Sequence, residues 1–226
     1  METSILQKIK KKTSELLLNS GRVLEVRHWS NAAMTEIDLH LPGSAMENWT
    51  EAVYIKFKVA GFTYRDYTPF AWDAETCTCS LLIDTAHEGP GSQWARNLQS
   101  GDTVHFFKAV SVRQPLYATD LVVALGDASS LAHLLALQQL TLPLSRFDGA
   151  VLLPSQDQQG LFKDYFRSPL QPVADEAEMI AWLQRQGYFT GHTRFYLTGN
   201  HHLVNKLRKV LKDMGHSHIR VKGFWS

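Results

Sequence analysis

Arg65, Tyr67, Thr68 and Pro69 stand close together in Arg65-Asp66-Tyr67-Thr68-Pro69-Phe70, and these residue types suit an anionic group carrying a flat ring. An arginine fork holds phosphate oxygens through paired donors. A tyrosine ring lies flat against a heteroaromatic ring, and a threonine hydroxyl serves a ring nitrogen. One strand further on, His87-Glu88-Gly89-Pro90-Gly91-Ser92-Gln93-Trp94 leads into a helix. Its glycines let backbone approach a ligand without a Cβ in the way, and the free N–H groups of a helix start attract phosphate. Together these two windows describe a flavin site.

The elements around them read as strands. Thr35, Ile37, Leu39 and Leu41 alternate with polar residues, as do Val53, Ile55, Phe57 and Val59. Further runs cover Val23 to Trp29, Tyr64 to Phe70, Cys77 to Ile83 and Val104 to Lys108. About six short, half-buried strands with turn signals between them predict a small antiparallel barrel over residues 21–115. Within it only Gly91 to Gln99 reads as a helix, stopped at Gly101-Asp102. Ahead of it, Thr3 to Asn19 has the spacing of a basic amphipathic helix, giving an N-terminal segment over residues 1–20.

After Gln114-Pro115 the pattern changes. Leu121 to Leu125 is an apolar run of the kind found in strands buried on both faces, Ala150 to Leu153 reads as a second buried strand, and Phe195 to Leu197 and His218 to Val221 read as two more strands. Helical spacing fills Ser129 to Leu140, Asp175 to Gln186 and His202 to Met214. Strands alternating with helices predict a parallel α/β unit over residues 116–226. Ligands of such sheets bind at the carboxyl ends of strands, here Gly126-Asp127 and Thr198-Gly199-Asn200.

The chain has 226 residues, 44% of them hydrophobic, and a formal net charge of +1. That length suits two units, and the balance of charge gives no field for nucleic acid. No apolar run approaches the roughly 20 residues of a membrane span. The N-terminus lacks the order of a secretory signal, and Cys77 and Cys79 read as small core residues on one face of a strand, so a cytoplasmic setting is expected. There is no GxGxxG after a strand, no Walker loop and no HExxH, which removes the simplest dehydrogenase, NTPase and metalloprotease readings.

Arg65-x-Tyr67-Thr68 followed by His87-x-Gly89-Pro90-x-Ser92-x-Trp94-Ala95 resembles the siderophore-interacting, FAD-dependent ferric-siderophore reductases, within the ferredoxin-reductase-like flavoproteins. Tyr54-Ile55-Lys56-Phe57 resembles the strand before their flavin motif. Gly126-Asp127-x-Ser129 is similar to their Gly-Asp-x-Thr turn, Leu197-Thr198-Gly199 to their Ala-Gly-Glu turn, and Gly223-Phe224-Trp225 to their closing Gly-Tyr-Trp. Phe70 stands where the family often has a second Arg. Ala128 and Ala132 replace its Glu and Pro, and Asn200 its Glu.

The resemblance implies an FAD barrel followed by a nicotinamide-nucleotide unit. Arg65 would hold the FAD phosphates, Tyr67 flank the ring, and Thr68, with Pro69 beside it, lie near N5. Main chain around Asp84 and His87 would border the flavin, with Gly91 and Ser92 at the pyrophosphate. Gly126, Asp127, Ser129, Gly199 and Asn200 would shape the nicotinamide site, and Pro154 to Pro172 its adenosine side, where no arginine cluster for a 2′-phosphate stands out. Lys56, Lys58 and Arg113 are candidates to contact a ferric siderophore or other ferric chelate. The implied activity passes electrons from NADPH or NADH through FAD to Fe(III). No acid, base or resident metal is nominated, and a monomer is expected. The alternatives are a reductase serving ferredoxin or flavodoxin, and a flavin-binding module without nicotinamide turnover. Phe224 and Trp225 either stack over the flavin or close the second core.

Overall fold

The computed structural model describes residues 18–29, 33–116 and 119–225. The expected N-terminal helix falls outside the described residues except at its end. There, Asn19 and Ser20 already pair with Phe106 and His105 in a strand.

The first unit is one antiparallel sheet. Its strands are β1 (Asn19–Trp29), β2 (Met34–His40), β3 (Val53–Ala60), β4 (Thr63–Tyr67), β5 (Phe70–Asp73), β6 (Thr78–Asp84), β7 (Thr103–Phe106) and β8 (Val110–Ser111). They run in the order β4-β3-β7-β1-β2-β6-β5, with β8 pairing with β3. The expectation of a closed barrel of six strands is therefore corrected: among the described residues the sheet has eight strands and open edges at β4 and β5. The cause is Thr68-Pro69. Pro69 has no N–H for a ladder, and Ala71 is left-handed at φ 48°, so one expected strand becomes two short ones that do not pair with each other. Cys79 is buried in β6, but Cys77, expected in the same strand, lies half-buried in the turn before it at φ 54°. Helix α1 (Pro90–Asn97) packs against β3, and Ile37, Leu39, Ile55, Phe57, Leu81 and Phe106 fill the core.

The second unit has β9 (Leu121–Asp127), α2 (Leu131–Thr141), β10 (Arg146–Leu152), α3 (Gln156–Tyr165), β11 (Leu170–Val173), α4 (Glu176–Arg185), β12 (Thr193–Asn200), α5 (His201–Asp213) and β13 (Ile219–Trp225). All five strands are parallel, ordered β11-β10-β9-β12-β13. Sequence patterning missed α3 and β11. The helix exposes most of its polar surface and buries little beyond Phe162, while Pro172 masks the strand and is tolerated because β11 is an edge.

The order of strands reverses between β9 and β12, which sets a crevice at their carboxyl ends. The two units share a core: Trp29, Met34, Phe70 and Leu82 pack in one cluster with Leu131, Leu134, Val151 and Phe162. Among the described residues no helix is long and apolar enough to cross a membrane.

Candidate functional site

The register of β3 against β4 decides which side chains share a face. Arg65 stands opposite Phe57 and Tyr67 opposite Ile55, so both lie on the side of the sheet that α1 covers. Tyr67 stacks on Trp94 of α1, with ring centroids 5.8 Å apart and 10° between planes. Burial pushes its hydroxyl pKa up to about 12, with Arg65 pulling the other way, so it is a neutral donor at physiological pH.

Gly91 is fixed by this contact. A Cβ there would stand 2.2 Å from the Tyr67 hydroxyl and 3.2 Å from Arg65 Cγ. Arg65, Tyr67 and the start of α1 therefore meet at one point. The Arg65 guanidinium is exposed, and its Nη1 donates to the Tyr64 carbonyl at 2.8 Å. No side chain caps α1, whose first residue is Pro90, so the N–H groups of the first turn point outward beside that cation. This donor set fits a pyrophosphate, and the Tyr67 ring, held from behind by Trp94, fits a flat heterocycle. Thr68 and Pro69 are buried directly after Tyr67.

Asp84, His87 and Ser92 form a second cluster at the same helix start. The buried Ser92 hydroxyl donates to the Asp84 carbonyl at 3.3 Å and lies 3.2 Å from His87 Nε2. His87 Nδ1 lies 3.9 Å from the Asp84 carboxylate. The Ser92 side chain is thus spent on the loop, which leaves its backbone N–H for a ligand.

Lys56 and Lys58 are set apart from this site. Lys56 pairs with Asp66 at 2.6 Å on the opposite face of the sheet from Arg65 and Tyr67. Arg113 is exposed in the linker at φ 56°. Phe70, where the resemblance calls for a second cation, is buried in the shared core against Phe166 at 5.8 Å. The position is used to dock the two units.

The five nicotinamide-side candidates come together at the crevice between β9 and β12. The Asp127 carboxylate accepts from the Asn200 N–H at 2.6 Å and from the Ser129 hydroxyl at 2.5 Å. Gly199, at φ 111°, lies so close that a Cβ would stand 2.6 Å from that carboxylate. Sequence reasoning passed over Ser130, whose Oγ takes the Asp127 N–H at 3.0 Å and reaches the Thr198 carbonyl at 3.3 Å, tying the two strand ends together. The Asp127-x-x-Ser130 spacing of a capping box was the available signal. It also passed over the Thr198 hydroxyl, buried at the same place without a partner among the described residues. Two clefts open elsewhere, one of about 590 Å³ around His192 and Arg194 and one of about 680 Å³ between the units beside Arg27 and Tyr165.

The first sheet carries a site that fits a phosphate and a flat ring, and a parallel sheet ordered β11-β10-β9-β12-β13 follows it. The fold is shared with a ferredoxin NADP+ reductase from Neisseria gonorrhoeae at TM-score 0.74 and 16% identity, covering 92% of this chain and 98% of that one. The siderophore-interacting protein of Acinetobacter baumannii is similar at TM-score 0.72 and 15% identity, covering 92% and 90%. Full-length CYP116B46 from Tepidiphilus thermophilus is similar at TM-score 0.74 and 13% identity over 92% of this chain, which spans only 29% of that protein. Residues 28–110 match the family model of the siderophore-interacting FAD-binding domain. No curated protein matches the chain in sequence.

Proposed function

We propose that this protein is an FAD-dependent reductase of ferric siderophores or related ferric chelates, drawing electrons from NADH or NADPH. The observation that carries the reading is the meeting of Arg65, the Tyr67 ring and the uncapped start of α1 at Gly91. Bound FAD would supply the redox chemistry between the nicotinamide nucleotide and Fe(III). Arg65 and the first-turn N–H groups of α1 hold the phosphates. Tyr67, stacked on Trp94, would back the ring, and Thr68 would offer its hydroxyl to the ring. Gly126, Gly199 and their neighbours border the crevice that receives the nicotinamide nucleotide. Lys56, Lys58 and Arg113 belong to the chelate contact only if the chelate approaches from the outer face of β3 and the linker.

One observation favours a second reading, a flavin-binding module without nicotinamide turnover. The turns bordering the crevice depart from those of the resembled family, with Ala128 and Ala132 for its Glu and Pro and Asn200 for its Glu. Anaerobic absorbance of the FAD-loaded protein, before and after each nucleotide, separates the two. Bleaching of the flavin by either nucleotide, followed by Fe(II) release from a ferric chelate, supports the reductase. A flavin that neither nucleotide bleaches contradicts it. Faster reoxidation by ferredoxin or flavodoxin than by any chelate moves the function to a protein acceptor.

A further inference from the structure

We infer that the crevice of the second unit is built for NADH and rejects NADPH through the charge at the carboxyl ends of β10 and β11; this rests on the reductase reading above. The two strand ends meet closely at the switch point: Thr198 is wholly buried, and its Oγ1, without a hydrogen-bond partner among the described residues, stands 2.9 Å from where a Cβ on Gly126 would lie. To one side of that point the sheet ends at β13, whose carboxyl end carries Gly223 and Phe224, the latter edge-on to His133 at 5.6 Å. To the other side β10 and β11 offer two more strand ends, each about 5 Å further along. A dinucleotide centred on the switch point therefore extends its adenosine half over β10 and β11.

The residues that follow these two strands are acidic. Asp157 is exposed in the first turn of α3. β11 leads into Asp175-Glu176-Ala177-Glu178, where α4 begins. The start of α4, where a phosphate could otherwise sit, carries its own carboxylates. Asp175 accepts from the Glu178 N–H at 2.8 Å, and Glu178 accepts from the Ala174 N–H at 2.7 Å. The neighbouring cation, Lys206, is held by Glu176 at 2.6 Å. A 2′-phosphate arriving here meets Asp157, Asp175 and Glu178 as like charges and finds no donor fork. The ribose 2′-hydroxyl of NADH, by contrast, can donate to a carboxylate, the arrangement by which acidic residues recognise it in other dinucleotide sites.

The test compares both nucleotides on the FAD-loaded full chain by stopped-flow bleaching. A calorimetric titration of ADP-ribose against 2′-phospho-ADP-ribose gives a readout independent of the flavin. NADH is expected to bleach the flavin at least about tenfold more efficiently than NADPH, with ADP-ribose binding the tighter of the two fragments. Glu176→Arg, which leaves Lys206 unpaired and adds a cation, raises the NADPH-to-NADH ratio by about tenfold or more. Asp157→Arg moves it the same way and serves should the first variant fold poorly. Equal or faster bleaching by NADPH in the wild type overturns the inference and leaves the reductase reading standing. Bleaching by neither nucleotide overturns both. Folded variants with an unchanged ratio overturn the assignment to these carboxylates.

Discussion

Arg65 carries an exposed guanidinium with no ion-pair partner among the described residues, next to a helix start with no side-chain cap. Such a cation is costly to lose only when an anion sits on it. Arg65→Ala is therefore expected to leave the apo fold intact and weaken FAD binding by roughly 1.5–3 kcal/mol, read by quenching of flavin fluorescence. His133 makes a different argument. It is buried against Gln114 at 3.2 Å, and burial, helped by Lys222, lowers its pKa from 6.5 to about 3. The unfolded chain binds that proton below about 6.5 while the folded chain does not until about 3, so stability is lost as pH falls through this window. His133→Gln is expected to flatten the pH dependence of the urea midpoint between these limits. An unchanged slope would show that His133 is not the group responsible.

At the scale of elements, α1 and β4 are interlocked through a glycine. Gly91→Ala forces a methyl group into the Tyr67 hydroxyl, so it should tilt the ring off Trp94 and lower FAD retention. Removing the hydroxyl relieves the clash, and the double variant Gly91→Ala/Tyr67→Phe is expected to recover part of the lost FAD content measured by absorbance. A double variant no better than the single one would place the cost elsewhere, for instance in the 3.2 Å approach to Arg65. This element pair was legible in the chain because Arg-x-Tyr-Thr and Gly-Pro-Gly-Ser each have a local physical meaning. The helix α3 and strand β11 were not, since the helix buries little beyond Phe162 and the strand is a four-residue edge interrupted by Pro172.

Across the whole molecule, each unit has a core of its own and a third cluster joins the two. Leu134 of α2 is wholly buried in the cluster that also holds Trp29, Phe70 and Leu82 of the first sheet. Polar contacts cross the same boundary: Gln139 Nε2 donates to the Trp72 carbonyl at 3.0 Å, the Tyr196 hydroxyl to the Pro115 carbonyl at 3.0 Å, and the Arg27 guanidinium lies over the Tyr165 ring at 5.9 Å. Both units should melt in one transition. Leu134→Ala is expected to cost about 2–5 kcal/mol and to shift far-UV dichroism and flavin release together. Two separated transitions would contradict a shared core.

The sequence alone determined the residue chemistry at Arg65 to Trp94 and the change from period-two strands to buried parallel ones after Pro115, because both are local patterns. It also placed Gly126-Asp127 and Gly199-Asn200 at strand ends. Tertiary structure decided what those ends do. Only the register of β3 against β4 puts Lys56 and Lys58 on the opposite face from Arg65, and only the reversal of strand order makes Asp127 bridge to Asn200. Pro69 and Ala71 open a sheet whose alternation alone predicts closure, because a missing N–H and a left-handed residue act on pairing, not on the pattern of buried side chains. Phe70 reads in the chain as a lost cation; in the folded molecule it is part of the joint that holds the first unit against the second.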